Sequence, residues 1–84
     1  MQHKLKTEAS YFRAVLRGEK TFEIRYNDRF YQKGDRLLLL EIDKGYETGA
    51  SLSVDVLCVT NFNQKDGWCV MGIKVCDEQS DGMS

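Results

Sequence analysis

Proline is absent from all 84 residues, so no turn can be preset by its fixed φ, and reversals must be made with Gly, Asn or Asp. Cysteine is scarce and odd in number. Cys58, Cys69 and Cys76 show no C-x-x-C spacing, which argues against both a complete disulfide framework and a zinc site, and predicts a cytoplasmic protein. Histidine occurs once, at His3. One imidazole without Cys, Asp or Glu partners at metal spacing is no ligand set, so neither metal nor cofactor is expected. Long apolar runs are missing as well. Nothing approaches the roughly 20 residues of a membrane span, and His3, Lys4 and Lys6 are followed by no apolar stretch of the kind a signal peptide needs. No membrane partner is expected.

What is present fits one small domain over residues 1–76, with a polar, acidic and flexible tail over residues 77–84. The formal net charge is −1, but it is unevenly spread. Residues 1–36 hold nine basic residues against five acids, and residues 37–84 hold three against eight. A basic half on a neutral whole can attract a polyanion to one side.

The order of elements is α+β. His3 to Lys6 predicts a short first strand, and Thr7 an N-cap for a helix from about Glu8 to Arg17 with Ala9, Phe12, Val15 and Leu16 on its apolar stripe. Thr21 to Tyr26 alternates, which places Phe22, Ile24 and Tyr26 on a core face and Thr21, Glu23 and Arg25 on the other. Arg36 to Ile42 is a third strand, whose Leu37–Leu40 run is apolar on both parities and so central or covered twice. Asp43 to Ala50 reads as a loop, Ser51 to Thr60 and Trp68 to Val75 as strands, with Cys58 and Cys69 at core parity as small hydrophobes. Five or six such strands with one helix would close as a small barrel.

The densest stretch runs from Gly18 to Arg29, six charged side chains in twelve residues. Gly18 is the glycine expected just past a helix end, and Lys20 at the following turn can reach the strand face that carries Glu23 and Arg25. Asn27 and Arg29 follow at once. The spacing is G-x-K-x-x-E-x-R, and it resembles the signature of the ASCH domain, a branch of the PUA-like β-barrel superfamily associated with RNA. His3-Lys4-Leu5-Lys6, Phe12, Asn27-Asp28-Arg29, Gly34-Asp35, the Leu37–Glu41 strand, Thr48-Gly49 and the Gly67–Ile73 strand extend it to a small bacterial and phage subfamily. The resemblance implies a PUA-like barrel of five to six strands with one main helix.

Two chemistries follow from it. As a binding module, the domain would take RNA or a nucleotide-like ligand in a cleft of Lys20, Glu23, Arg25, Asn27 and Arg29, with Trp68, beside Gly67 at a strand opening, as a stacking platform. As an enzyme, it would be a hydrolase on RNA or a modified nucleoside, since some ASCH-like proteins of this size hydrolyse an acetylated cytidine and others act as ribonucleases. The amidohydrolase-like members carry a threonine three residues after the lysine. Here Lys20 is followed at that distance by Glu23, so a Lys20–Glu23 pair would have to work by general acid–base chemistry. A protein-interaction module is the third class, and binding outweighs catalysis because no nucleophile or metal set is evident.

Overall fold

The computed structural model describes residues 1–77; the flexible tail expected from the sequence falls almost wholly on residues 78–84, outside them. Strands β1 (Gln2–Glu8), β2 (Phe22–Tyr26), β3 (Arg36–Asp43), β4 (Tyr46–Thr60) and β5 (Trp68–Val75) and one helix, α1 (Ala9–Leu16), make up the fold. They form a single sheet in the order β1-β3-β4-β5-β2, with β1 and β3 parallel and the other pairs antiparallel. The sheet curls into a half-barrel, so its two edge strands, β1 and β2, face each other across a seam.

Alternation builds the interior. Leu5, Leu39 and Leu52 stand in one row across β1, β3 and β4, and Leu37, Val54, Val56, Met71 and Ile73 fill the rows beside it. β3 lies between two strands, as its Leu run predicts, with Leu37 and Leu39 fully buried and Leu38 and Leu40 partly so. α1 covers β3 and β1 through Phe12 and Val15, while Leu16, expected on its apolar stripe, is 55% exposed. Among the described residues no helix is long and apolar enough to cross a membrane.

Several expectations need correction. Thr7 does not cap the helix: it is the last buried residue of a longer β1, its hydroxyl donates to Leu5 O at 3.3 Å, and the N-cap position is Glu8, whose side chain makes no capping bond. The 43–50 stretch is no open loop. Lys44 and Gly45, at φ 53° and 85°, make a two-residue turn with Asp43 paired to Tyr46, the left-handed pair whose twist suits a hairpin. Cys58 is exposed, since an extra residue, Leu57, shifts the register between Val56 and Cys58 and reverses the parity beyond it. Gly72 opposite leaves room for the displaced thiol; a Cβ there would lie 2.9 Å from Cys58 Sγ.

The most consequential correction is the parity of β2. Glu23 is 4% exposed, whereas Phe22 and Ile24, expected in the core, are 43% and 45% exposed, and Tyr26 is exposed too. Register explains the reversal: Glu23 pairs with Met71 and Arg25 with Cys69, partners that face inward, and paired residues share a face. At an edge strand the inward side borders the seam, so polar groups can occupy it if they find partners.

Candidate functional site

The seam between β1 and β2 is a groove of about 700 Å³. It runs along the free edge of β2, so side chains from both faces of that strand reach it, together with Lys6, Thr7 and Glu8 of β1, Tyr11 of α1, and Asp28, Arg29, Tyr31 and Trp68 from neighbouring segments. Of the residues expected at a site, Lys20, Glu23, Arg25, Arg29 and Trp68 line it. Asn27 does not. Its Oδ1 accepts the Tyr31 N–H at 2.9 Å and its own N–H donates to Gly67 O at 2.7 Å, so it shapes the loop that carries Arg29 and Tyr31.

Glu23 is the centre of the charged group. Its Oε1 accepts from Arg25 Nε at 3.1 Å and its Oε2 from Lys20 Nζ at 3.2 Å, which is what a buried carboxylate needs if desolvation is not to cost several kcal/mol. Gly18, at φ +77°, turns the chain out of α1 and lets Lys20 fold back. The Lys20 ammonium also donates to Phe22 O at 2.6 Å and sits 4.7 Å from the Phe22 ring centroid and 5.4 Å from that of Tyr11, within cation–π range.

The arginines span the seam. Arg25 Nη2 donates to Lys6 O at 3.1 Å and to Thr7 Oγ1 at 3.2 Å, and Arg29 Nη1 donates to Lys4 O at 2.8 Å. Lys4 and Lys6 lie two apart on β1, so their carbonyls point the same way, off the edge that β3 does not use. Guanidinium groups therefore stand where a neighbouring strand's N–H groups would stand in a closed barrel. This task occupies Nε and Nη2 of Arg25, and its Nη1 is left for other contacts.

Aromatic rings complete the walls. Tyr26 and Trp68 meet edge to face at 6.0 Å between centroids, and Gly67 lets the Tyr26 ring approach so closely that a Cβ would fall 2.5 Å from it. Tyr31 is buried beside His3, whose Nε2–H donates to Asp35 Oδ2 at 3.0 Å. Burial pushes the Tyr31 phenol up. The His3 hydrogen bond, seconded by the Gln32 N–H and opposed by burial, holds Asp35 below the usual carboxylate range. Sequence reasoning missed Lys6, Thr7 and Tyr11, because their approach to β2 depends on how far the sheet curls, for which local pattern holds no signal. Among the described residues no group of three or more His, Cys, Asp or Glu side chains converges to hold a metal.

Comparison with known proteins places the chain. It is 39% identical over 61 residues to an uncharacterised 12.9 kDa protein from the GpA 3′ region of Escherichia phage P2, a match that covers 73% of this chain and 56% of that protein. The chain thus spans a little over half the length of the phage relative. Residues 2–73 match a family described as a domain of unknown function, DUF3850, and with nearly the whole folded part of the chain included, the protein belongs to the DUF3850 family.

Proposed function

We propose that this domain binds RNA, or a nucleotide-like ligand, in the groove between β1 and β2, and that it is an ASCH-type member of the PUA-like superfamily. The observation that carries the reading is the joint lining of one concave groove by cations (Lys6, Lys20, Arg25, Arg29) and aromatic rings (Tyr11, Phe22, Tyr26, Trp68). Phosphate needs the first and an unstacked base the second. The Lys20, Glu23 and Arg25 spacing resembles the ASCH signature, and the curled five-stranded sheet with one helix suits such a barrel. The absence of a disulfide among Cys58, Cys69 and Cys76 in the described residues fits a cytoplasmic setting.

Hydrolysis of RNA or a modified nucleoside is the second reading, favoured by the direct contact of an ammonium and a carboxylate, Lys20 and Glu23, at the groove wall. Titration of short single-stranded RNAs and nucleosides, acetylated cytidine included, while following turnover, tests both. Binding should weaken with salt, with a logarithmic slope of about −0.7 per phosphate contact. Absent or salt-insensitive binding of RNA would overturn the RNA reading, and turnover that Glu23→Gln abolishes without loss of binding would establish the hydrolase.

A further inference from the structure

Tyr31 presents to the groove a polar atom that no protein group bonds among the described residues. The residue is 5% exposed, its ring lies edge-on to His3 at 5.0 Å between centroids, and its N–H is held by Asn27. Among the described residues its hydroxyl has no hydrogen-bond partner, yet no fully enclosed side-chain polar atom there is left unpaired. Both hold only if the oxygen is the end of the side chain that reaches open space, and the open space Tyr31 borders is the groove.

The hydroxyl is not required for packing. A phenylalanine would fill the same volume and meet the His3 ring equally well, whereas the O–H adds a donor and an acceptor at the groove wall. Its charge state suits recognition. Burial raises the phenol, Arg29 and Arg25 draw it down and Asp28 pushes it up, with a net rise, so at neutral pH the group is an O–H that can donate and accept. Arg25 and Arg29 are anchored to β1 and keep their charge for an anion, whereas the Tyr31 hydroxyl is a neutral probe on a side chain that packing holds at the groove wall.

We infer that the Tyr31 hydroxyl selects for polarity in this groove, hydrogen-bonding the polar edge of a planar heterocycle seated against the groove's aromatic wall. The site then takes a nucleobase-like ring and rejects one of the same outline that offers no hydrogen-bonding atom at that edge. The inference rests on the binding reading above and adds the chemistry of selection. Rejection arises because a ring without such an atom leaves the hydroxyl stripped of water and unpaired.

The test compares the parent protein with Tyr31→Phe by calorimetric titration against the four ribonucleosides, a short single-stranded RNA, and the non-nucleotide pair 2-pyridone and toluene, with a melting curve for each variant. The expected result is that Tyr31→Phe binds the nucleosides and 2-pyridone about tenfold more weakly, binds toluene more tightly than the parent does, and melts with the parent. Equal affinity of the two proteins for a ligand the parent binds would overturn the inference while leaving the binding reading intact. A clear drop in melting temperature would also overturn it, by making the hydroxyl structural. Binding of 2-pyridone without any nucleoside or RNA would remove the nucleotide reading, and Tyr31→Phe on 2-pyridone would still decide the role of the hydroxyl. If the parent binds nothing in the panel, both fall.

Discussion

Two sides of the same half-barrel are held by different forces. Where β3, β4 and β5 pair, contact is dry: Leu37, Leu39, Val54, Val56 and Met71 are buried almost completely, and backbone hydrogen bonds run from strand to strand. Across the seam, β1 and β2 share no ladder. What joins them is Arg25 on Lys6 O and Thr7 Oγ1, and Arg29 on Lys4 O, with Glu23 and Lys20 steadying Arg25 from behind. Hydrophobic area stabilises the first side without direction, whereas directed charged bonds set the width of the second and leave a groove between its walls. The side that carries the candidate site is thus the side that a ligand can loosen.

The largest expected effect lies on the dry side. Leu39→Ala should cost about 2–5 kcal/mol, because the cavity sits in the middle of the Leu5–Leu39–Leu52 row and cannot collapse. Phe22→Ala, at the seam, removes a half-exposed ring and should cost only about 1 kcal/mol. Urea midpoints of the two variants measure the contrast; similar losses would mean the seam is packed like the core. Next in size is Glu23→Leu. It leaves Lys20 and Arg25 facing each other without a counter-ion, which for a buried ion pair costs about 3–5 kcal/mol, reduced here to about 2 kcal/mol because both cations are partly exposed. A parent-like midpoint would show that the carboxylate does not organise the seam.

The two sides also differed in how legible they were. β3, β5 and the inner rows of β4 were readable because a strand paired on both sides must obey alternation. The helix and the Gly18 turn were readable from periodicity and a glycine. Lys20, Glu23, Arg25, Arg29 and Trp68 border one groove and Asn27 does not, but Glu23 and Arg25 lie on the face of β2 opposite to the one expected. In β2, apolar and polar residues alternate equally well in either sense, and alternation assigns a core face only if the inward side is dry. Glu23 satisfies its inward position with two cations instead, one of which arrives from the turn before the strand. Thr7 and Cys58 were misread for a related reason, since a longer β1 and a one-residue bulge in β4 are decided by partner strands that local pattern does not contain.

A subtler fastening of β1 can be read through pH. His3, on the inward face of β1, bonds Asp35 in the loop that enters β3, and Asp35 Oδ2 also accepts the Gln32 N–H at 3.0 Å. Asp35 has its folded value lowered from the ordinary 3.8, so the unfolded chain takes up the proton first as pH falls. Its stabilisation is therefore complete at neutral pH, begins to fade near the ordinary value, and is lost as pH drops through the folded one. Asp35→Asn should flatten the fall in melting temperature below about pH 4 relative to the parent. An unchanged acid limb would assign that limb to other carboxylates.

The smallest expected effect separates the two arginines. Arg25→Lys keeps the charge but gives up a guanidinium that holds Glu23, Lys6 O and Thr7 Oγ1 at once, whereas Arg29→Lys gives up one bond, to Lys4 O, at the exposed end of the seam. A charge-assisted bond in a partly buried place contributes about 1.5–3 kcal/mol, and an exposed one nearer 0.5 kcal/mol. Arg25→Lys should therefore lower the urea midpoint clearly and Arg29→Lys hardly at all, and added salt should narrow the difference little, because the Arg25 contacts are only a quarter open to water. Both variants keep the positive field that draws a polyanion, so long-range attraction should survive in each. If Arg29→Lys proves as costly as Arg25→Lys, closure of the seam is shared along its length and does not centre on Glu23; if neither is costly, the curl is imposed by the dry side alone and the arginines are free for a ligand.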